Sequence, residues 1–335
     1  MTSVNTSAEE TWYDNPPSAA GRYVMLIWTC TAVIISLVGN TTVLVASIKY
    51  NAIKLDKISI VLLRNLSAAD ILYTFYTILL LPLLSQQRDV YGDPFCWVST
   101  AFGYFLAFVD ITLICLLNIA KLTTLLYPFD ARLRSARTGH IIACTVWLVV
   151  SCASTALALY NNLMNEMPFV LDSATYKCSS NVEPDAGSFV AAAFVVVFGI
   201  TPTLIIAVSS AWLLHFVHKV RGLRMEGVVT VLLVSFVFFV SYVPYSVYEV
   251  VRKFMTARSK NTAWFLLFRK FVVYFVYVNY AGNPVVYFVS VRSFREFVMD
   301  IFWRLWKGGV GKVWKGGVGN QAAVPSIPTQ PVSRV

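Results

Sequence analysis

The amino-acid sequence predicts an all-α membrane protein, a bundle of seven transmembrane helices followed by a short amphipathic eighth helix. Of its 335 residues, 57% are hydrophobic and only 13% are charged, whereas soluble domains carry roughly 25% charged residues. The apolar residues form seven stretches, each long enough to cross about 30 Å of hydrocarbon. The connections after the odd-numbered stretches are rich in lysine and arginine, as in proteins that cross a membrane several times.

The seven stretches differ in character, which indicates which of their faces are buried. Some, such as Ala191–Ala207, are apolar on all sides, as expected of a helix within a membrane. Others carry isolated polar residues, which should face the interior of the bundle. The predicted spans are Arg22–Lys49, Ile58–Leu84, Phe95–Leu126, His140–Leu163, Ser188–Val220, Val228–Phe254 and Trp264–Val291.

The basic residues predict how the chain is oriented. Lys49, Lys54 and Lys57 follow the first span, and similar groups follow the third, fifth and seventh. Because cytoplasmic connections are enriched in such residues, we expect a plasma-membrane protein with its N-terminus outside and its C-terminus inside. The net charge of +10 then reflects topology, and no nucleic-acid partner is expected. The predicted regions are an extracellular segment 1–21, the seven-helix domain 22–291, an interfacial helix 292–306 and a flexible cytoplasmic tail 307–335.

The two ends of the chain carry short motifs outside the spans. Asn5 begins the sequon Asn5-Thr6-Ser7, which predicts a glycan on the outer side. The final residues Ser333-Arg334-Val335 resemble a ligand for PDZ scaffolds, which capture an extended C-terminus at a sheet edge. A chance match is the alternative for so short a pattern.

The segment after the seventh span predicts a helix that lies on the inner membrane surface. Its apolar residues recur at spacings of three and four, with charged residues between them. Such a helix would contact membrane lipids, and the basic, glycine-rich tail would lie near the same surface. The apolar residues are Phe294, Phe297, Val298, Ile301, Phe302 and Leu305.

Short motifs stand in several spans, and they come in a fixed order. They are Gly39-Asn40, Asn65-Leu66-Ser67-Ala68-Ala69-Asp70, Trp147, Pro202, Pro244 and Asn283-Pro284-Val285-Val286-Tyr287. From about Arg22 to Trp306 the chain resembles a rhodopsin-like (class A) G-protein-coupled receptor, as a divergent member. The resemblance implies a cell-surface receptor that binds an extracellular ligand. It also implies signalling through a heterotrimeric G protein by outward movement of the sixth helix.

Two of the six cysteines lie outside the apolar interior of the spans. Cys96 is at the outer end of the third span, and Cys178 is in the outer connection between the fourth and fifth spans. Both would face an oxidising compartment, in which a disulfide can form. The pair also matches the outer disulfide of the family that the chain resembles. We therefore expect a Cys96–Cys178 bridge, with two free thiols as the alternative.

The chain departs from the family pattern at the inner end of the third helix. Lys121 stands where the family usually has the arginine of Asp-Arg-Tyr, and Ala120 replaces the acidic neighbour that restrains it. Lysine offers a point charge where arginine offers a planar fork. On the sixth helix Arg224 would repel Lys121, although Glu226 could compensate in part. Two hypotheses follow: the missing lock raises ligand-independent activity, or Lys121 couples poorly to a G protein.

Other residues match the parts of the family that change conformation. Tyr242 occupies the position of the toggle tryptophan, and a ligand that displaces it would move Phe238 and swing the sixth helix about Pro244. Pro284 kinks the seventh helix, which indicates a hinge, with a passive kink as the alternative. The remaining switch residues that the resemblance implies are Ile111, Lys121, Pro202 and Tyr287.

Four polar residues are expected to meet in the middle of the bundle. Asp70, Asn279 and Asn283 match positions that bind a sodium ion in the family, and Asp110 replaces a serine there. Two carboxylates in one small buried site cannot both be charged without a compensating cation. We expect a sodium- or proton-sensitive site and no other cofactor. A hydrogen-bonded structural acid pair is the alternative.

The expected ligand pocket is aromatic and has a basic rim. Gly103 stands where receptors for amines carry an aspartate, and Tyr277 stands where opsins carry the retinal lysine, so neither ligand is expected. Basic residues near the outer mouth favour an acidic peptide or an anionic small molecule. The alternative is that these charges pair with one another and with lipid headgroups. The pocket positions are Tyr104, Phe194, Phe198, Tyr242, Tyr245, Glu249, Arg269 and Tyr277.

Other functional classes have less support in the sequence. It contains no metal-ligand cluster, nucleophile triad or phosphate-binding loop, so an enzyme is not expected. A transporter would show repeats between its two halves, and the sequence shows none. A non-signalling scavenger or decoy receptor would share the same fold, and Lys121 keeps that alternative open.

Overall fold

The computed structural model describes residues 19–49, 53, 55–86, 93–130, 132, 135–164, 170–172, 177–179, 193–219, 226–254 and 263–313. These residues form long helices around a shared apolar core. The helices are α1 (Ala19–Ile48), α2 (Lys57–Gln86), α3 (Asp93–Leu126), α4 (Ala136–Met164), α5 (Thr201–Lys219), α6 (Glu226–Phe254), α7 (Ala263–Phe275), α8 (Tyr277–Ser290) and α9 (Arg292–Val313). The strands are β1 (Val170–Asp172) and β2 (Lys177–Ser179).

The described part of the chain contains seven segments long and apolar enough to cross a membrane, so the predicted seven-helix bundle is confirmed. Helices α1 to α4 and α6 each form one span. The fifth span consists of α5 and the π-helical turn Val196–Ile200 that precedes it, and α7 and α8 together form the seventh. Each is a helix because a backbone in hydrocarbon must satisfy its own N–H and C=O groups. The observed ends lie within a few residues of the predicted ones, except that the predicted start at Ser188 lies outside the described residues.

A short β-hairpin lies in the connection between α4 and α5, and the sequence analysis did not predict it. Strands β1 and β2 pair antiparallel, with Leu171 opposite Cys178. Both strands contact α3, so the hairpin packs against the bundle as part of the fold.

The seventh span is broken at Val276, between α7 and α8. The N–H of Asn279 donates to the carbonyl oxygen of Val276 over 3.0 Å, which is the tighter spacing of a 3₁₀ turn. Near this break the indole N–H of Trp28 donates to the carbonyl oxygen of Tyr274 over 2.9 Å. Helix α1 thereby supports the irregular turn at a depth where water is scarce.

A second contact from α1 supports the proline kink in α8. Pro284 has no N–H and cannot bond to the carbonyl group of Tyr280. The side-chain amide of Asn40 donates to that carbonyl oxygen over 3.1 Å. Next to it, Gly39 lies directly against the proline ring: a Cβ atom at Gly39 would come within 2.5 Å of the Cβ of Pro284. The pair Gly39-Asn40 therefore seats α1 on the kink.

Helix α9 is longer than the sequence analysis predicted, because it continues beyond Trp306 to Val313. The predicted boundary between interfacial helix and flexible tail is therefore too early. Val310 and Val313 extend the apolar spacing of three and four residues past Trp306, and this continuation offsets the low helix propensity of the glycines. Phe294 is buried against the bundle, whereas Trp306 is exposed, as expected of a helix that lies on a membrane surface.

We expect Gly39→Ala to lower the stability of the bundle. The added methyl group would overlap the ring of Pro284, and such overpacking typically costs about 1–3 kcal/mol. The measurement is the temperature at which half of the detergent-purified protein stays monodisperse. Val38→Ala is the matched control, because Val38 is on the same helix and 62% exposed. Equal melting temperatures for the two variants would contradict this account of the kink.

Candidate functional site

The polar residues predicted to meet in the bundle are brought together by three helices. Asp70 lies on α2, Asp110 on α3, and Asn279 and Asn283 on α8, and all four side chains are fully buried. The amide of Asn283 donates to Oδ2 of Asp70 over 2.9 Å, and the amide of Asn279 donates to Oδ2 of Asp110. The two carboxyl groups are neighbours close enough to interact.

This cluster keeps an excess of oxygen atoms without partners. Among the described residues, no hydrogen-bond partner exists for the Oδ1 atoms of Asp70, Asp110, Asn279 and Asn283 or for the hydroxyl group of Tyr287. Buried oxygen atoms of this kind are usually hydrogen-bonded. Carboxylate and amide oxygens are also the ligands that hard cations prefer. The chemistry of the cluster therefore fits a small cation or a shared proton.

Below the acid cluster, a second polar group joins three helices. The amide nitrogen of Asn118 on α3 donates to the hydroxyl of Ser235 on α6 over 2.8 Å. The hydroxyl of Ser210 on α5 donates to Oδ1 of Asn118 over 3.0 Å. We call these three residues the polar clasp. It replaces the inner tyrosine that the family usually carries at the position of Ser210.

At the inner end of α3, Lys121 has an acidic partner. Its Nζ atom lies 3.1 Å from Oδ2 of Asp56, and the two side chains are only 13% and 11% exposed. Asp56, which is outside α3, therefore restrains Lys121 in place of the acidic neighbour that the family has at Ala120. This corrects the expectation that the lysine is unrestrained. The expected repulsion from Arg224 falls outside the described residues.

Asp56 precedes α2, outside the membrane-spanning segment. Burial alone would raise the pKa of its carboxyl group, but the charge of Lys121 and the N–H of Ser59 together lower the pKa below the ordinary value. A lowered pKa means that the folded state is stabilised by the charged form above the ordinary pKa of aspartate. The ion pair is therefore present at neutral pH and is lost only as the pH falls through the lowered pKa.

Three of the predicted switch residues lie in the core of the bundle. Ile111, Pro202 and Phe238 are buried on α3, α5 and α6. The ring of Phe238 stacks on that of Tyr242, with centroids 5.4 Å apart and an interplanar angle of 15°. A movement of Tyr242 would thus act directly on Phe238.

Several predicted ligand positions contact other aromatic rings. Tyr104 stacks on Phe108, and the ring of Phe108 contacts both Phe194 and Phe198, which precede α5 in the fifth span. Tyr242 contacts Tyr245 on α6. Except for the exposed Tyr104, these rings belong to the apolar core of the bundle or pack against it.

Tyr277 lies where α1, α2 and α8 meet. It packs against Tyr73, whose ring stacks on that of Tyr280 with centroids 3.7 Å apart. Tyr277, Tyr73 and Tyr280 line a small open crevice. Arg269 is half-buried on α7 and does not line this crevice.

Several predicted residues lie outside the described part of the structure. These are Asn5 and Ser333-Arg334-Val335, together with the side chains of Cys96, Cys178 and Glu249. The backbone places Cys96 in the first turn of α3 and Cys178 in β2, which contacts that helix. The disulfide remains a prediction.

Sequence reasoning missed Asp56, Phe108 and the stacked pair Tyr73 and Tyr280. Asp56 carries the signal of a helix N-cap, since an aspartate there accepts a bond from the N–H three residues on. Phe108 is one helical turn beyond Tyr104 and so shares its face. No local signal identifies the tyrosine pair, because its members are on different helices.

The comparisons with known proteins place the chain in one family. The sequence matches the profile described as 7 transmembrane receptor (rhodopsin family) over residues 39–287. C-C chemokine receptor type 1 of Macaca fascicularis is 26% identical over 129 residues, 38% of this chain and 36% of that protein. Type-1 angiotensin II receptor B of Rattus norvegicus is 26% identical over 159 residues, 45% of this chain and 43% of that protein. C-C chemokine receptor type 8 of Homo sapiens is 26% identical over 148 residues, 44% of this chain and 41% of that protein.

The chain matches less than half of the length of these relatives, while the family profile covers most of the chain. The profile begins at Gly39 in α1 and ends at Tyr287 in α8, so it covers the second to sixth spans, parts of the first and seventh, the acid cluster and the polar clasp. The family and its relatives are receptors and not enzymes, as the sequence predicted. The chain belongs to the rhodopsin family of seven-transmembrane receptors.

Proposed function

We propose that this protein is a plasma-membrane receptor that binds an extracellular ligand and activates a heterotrimeric G protein on the cytoplasmic side. The observation that carries the proposal is the construction of α6. Its middle bears the stacked rings of Phe238 and Tyr242, and Ser235, about one turn nearer the inner end, bonds to Asn118 of α3. Pro244 follows Tyr242 toward the outer end of α6, and it weakens the helix because it removes a backbone hydrogen bond.

Such a helix can adopt two discrete packing arrangements. A ligand that binds more tightly when Tyr242 has moved would shift the population toward the arrangement in which α6 swings outward. The orientation follows from the basic connections, which place the inner ends of α3 and α6 in the cytoplasm. An exposed apolar ring, Phe129 at 97% exposure, lies in the adjoining connection after α3 and offers a contact for a cytoplasmic partner.

The ligand that fits best is an acidic peptide or an anionic small molecule. The relatives are named as receptors for C-C chemokines and for angiotensin II. We propose that the ligand of this chain resembles those ligands in chemical class more than it resembles an amine. Gly103 leaves no carboxylate for an amine, and its position is filled by the ring of Tyr76. Arg269 and Lys270 supply positive charge on α7, which favours an anionic partner.

A non-signalling scavenger receptor is the second candidate, because Lys121 replaces the arginine usual in the family. The deciding experiment is a ligand screen on cells that express the protein, with nucleotide exchange on each class of Gα subunit as the readout. We expect at least one ligand to stimulate exchange. A ligand that is bound and internalised without exchange on any Gα subunit would establish the scavenger function instead.

We also propose that the acid cluster binds a sodium ion or a proton that stabilises the closed bundle. The support is the set of unpartnered oxygens on Asp70, Asp110, Asn279 and Asn283. Two buried carboxylates repel each other unless a positive charge lies between them. Asp110 adds one negative charge where the family usually has a serine, and a bound sodium ion or proton would neutralise one of the two carboxylates.

We expect sodium chloride to raise the melting temperature of the purified protein relative to choline chloride at equal ionic strength. A ligand at about ten times its Kd stabilises the folded state by about 1.4 kcal/mol. Lower pH should reduce the sodium effect, because protons compete for the same oxygens. Asp70→Asn should abolish the effect, whereas Asp130→Asn, in an exposed connection, should leave it intact. Indifference of the wild-type protein to both sodium and pH would contradict the proposal.

The polar clasp should oppose the outward swing of α6. Ser210→Ala removes the bond from α5 that orients Asn118 toward Ser235 of α6, and the loss of one buried hydrogen bond costs about 1 kcal/mol. Ser209→Ala is a closely matched control, since the hydroxyl of Ser209 bonds only to carbonyl oxygens of its own helix among the described residues. We expect Ser210→Ala alone to raise ligand-free nucleotide exchange and lower the melting temperature. Equal effects of both variants would assign the clasp a purely local role.

A further inference from the structure

The inner end of α3 is the point where the connection before α2 and the first turn of α6 meet. Lys121 approaches Asp56 to 3.1 Å in a pair that is largely buried. A pair shielded from water interacts more strongly than one in solvent, and its strength therefore depends on what covers it.

Asp56 is also held in place by hydrogen bonds to the first turn of α2. Its Oδ1 atom accepts the N–H of Ser59 over 3.0 Å, and its carbonyl oxygen accepts the N–H of Ile60 over 3.0 Å. Asp56 is thus the N-cap of α2, and its other carboxylate oxygen is free to hold Lys121. The lysine is anchored to a rigid helix end rather than to a flexible side chain.

The cover over this pair is the backbone of α6 at Gly227. A Cβ atom on Gly227 would lie 2.7 Å from Nζ of Lys121 and 3.1 Å from a methyl group of Leu55. A side chain at this position would have to displace the end of the Lys121 side chain or move α6 outward. The first turn of α6 therefore rests directly on the anchored ammonium group.

We propose that Asp56, Lys121 and Gly227 form an inner latch that keeps α6 closed in this receptor. With α6 closed, its backbone shields the Lys121–Asp56 pair from water and the attraction is strong. When α6 swings outward, the pair gains solvent and the attraction weakens. The ion pair also fixes the Lys121 side chain on which Gly227 packs. This packing contact exists only in the closed arrangement, and it is the differential interaction that a switch requires. Its effect on signalling rests on the proposed function, but its effect on the position of α6 does not.

The latch differs from a lock within α3 or between side chains of α3 and α6. The acid comes from the cap of α2, and α6 contributes a glycine instead of a charge. The hypothesis that a missing lock raises ligand-independent activity is therefore replaced by its opposite: the wild-type protein has a working lock and low basal activity.

The test measures the distance between spin labels on Arg137 of α4 and Val229 of α6 in the purified full-length protein. Both positions are exposed. The background replaces the exposed cysteines Cys30, Cys144 and Cys152 with alanine, so that labels attach where intended. Two variants disrupt the latch: one removes the ion pair, and the other disturbs the contact between Lys121 and α6.

Asp56→Asn keeps an oxygen that can cap α2 but removes the charge that holds Lys121. Gly227→Ala keeps the ion pair but inserts a methyl group between it and α6. We expect each variant to raise the fraction of molecules with the longer distance by roughly threefold or more. Asp130→Asn, an acid in the connection after α3 that bonds to the N–H of Arg132, is the control and should keep the wild-type distances.

Wild-type distances in both folded variants would overturn the latch. If either variant fails to fold, the other decides the question alone. Ligand-free nucleotide exchange on a G protein, measured in parallel, separates the two proposals. Longer distances without exchange would support the latch and count against G-protein coupling, whereas ligand-stimulated exchange in variants with unchanged distances would overturn only the latch.

Discussion

A polar group in hydrocarbon has no water to bond to, and this constraint shapes the whole bundle. Each buried amide reaches a partner on another helix. Asn40 bonds to the carbonyl group of Tyr280, joining α1 to α8. The indole of Trp147 donates to Asn65 over 3.0 Å, joining α4 to α2. Because lipid tails are as apolar as the side chains that face them, such bonds and close glycine contacts determine which helices pair.

The same constraint distinguishes the acid cluster, because several unsatisfied oxygens lie together there. Asn118 satisfies both its nitrogen and its oxygen within the clasp, so it needs nothing further. Asp70 and Asp110 each keep an oxygen without a partner among the described residues, although both are as deeply buried as Asn118. An unsatisfied buried group costs about 1–3 kcal/mol. The cluster retains a cost that a bound cation or proton would offset, and this is why it is the better candidate for a regulated site.

The sequence predicted the seven spans well because each is fixed by its own apolar length, and it predicted the acid cluster because motifs on separate spans converge in a bundle. It did not predict the partner of Lys121, since Asp56 lies in a connection and is 65 positions away along the chain. The end of α9 was missed for a different reason, because glycines suggested a flexible tail while the valine spacing continued the helix. Contacts between distant helices depend on packing and rotation, which a single sequence does not encode locally.

The two contacts of α6 with α3 act at different depths and through different chemistry. The clasp is a neutral hydrogen bond inside the bundle, and the latch is a shielded ion pair at its inner end. If each contributes about 1 kcal/mol, their joint loss changes the equilibrium between closed and open bundles by roughly thirtyfold. Either contact alone would leave a much larger open fraction. If the open and closed bundles were equally populated without these contacts, the two together would hold the open state at about 3%, and a ligand with a hundredfold preference for that state would reverse the balance.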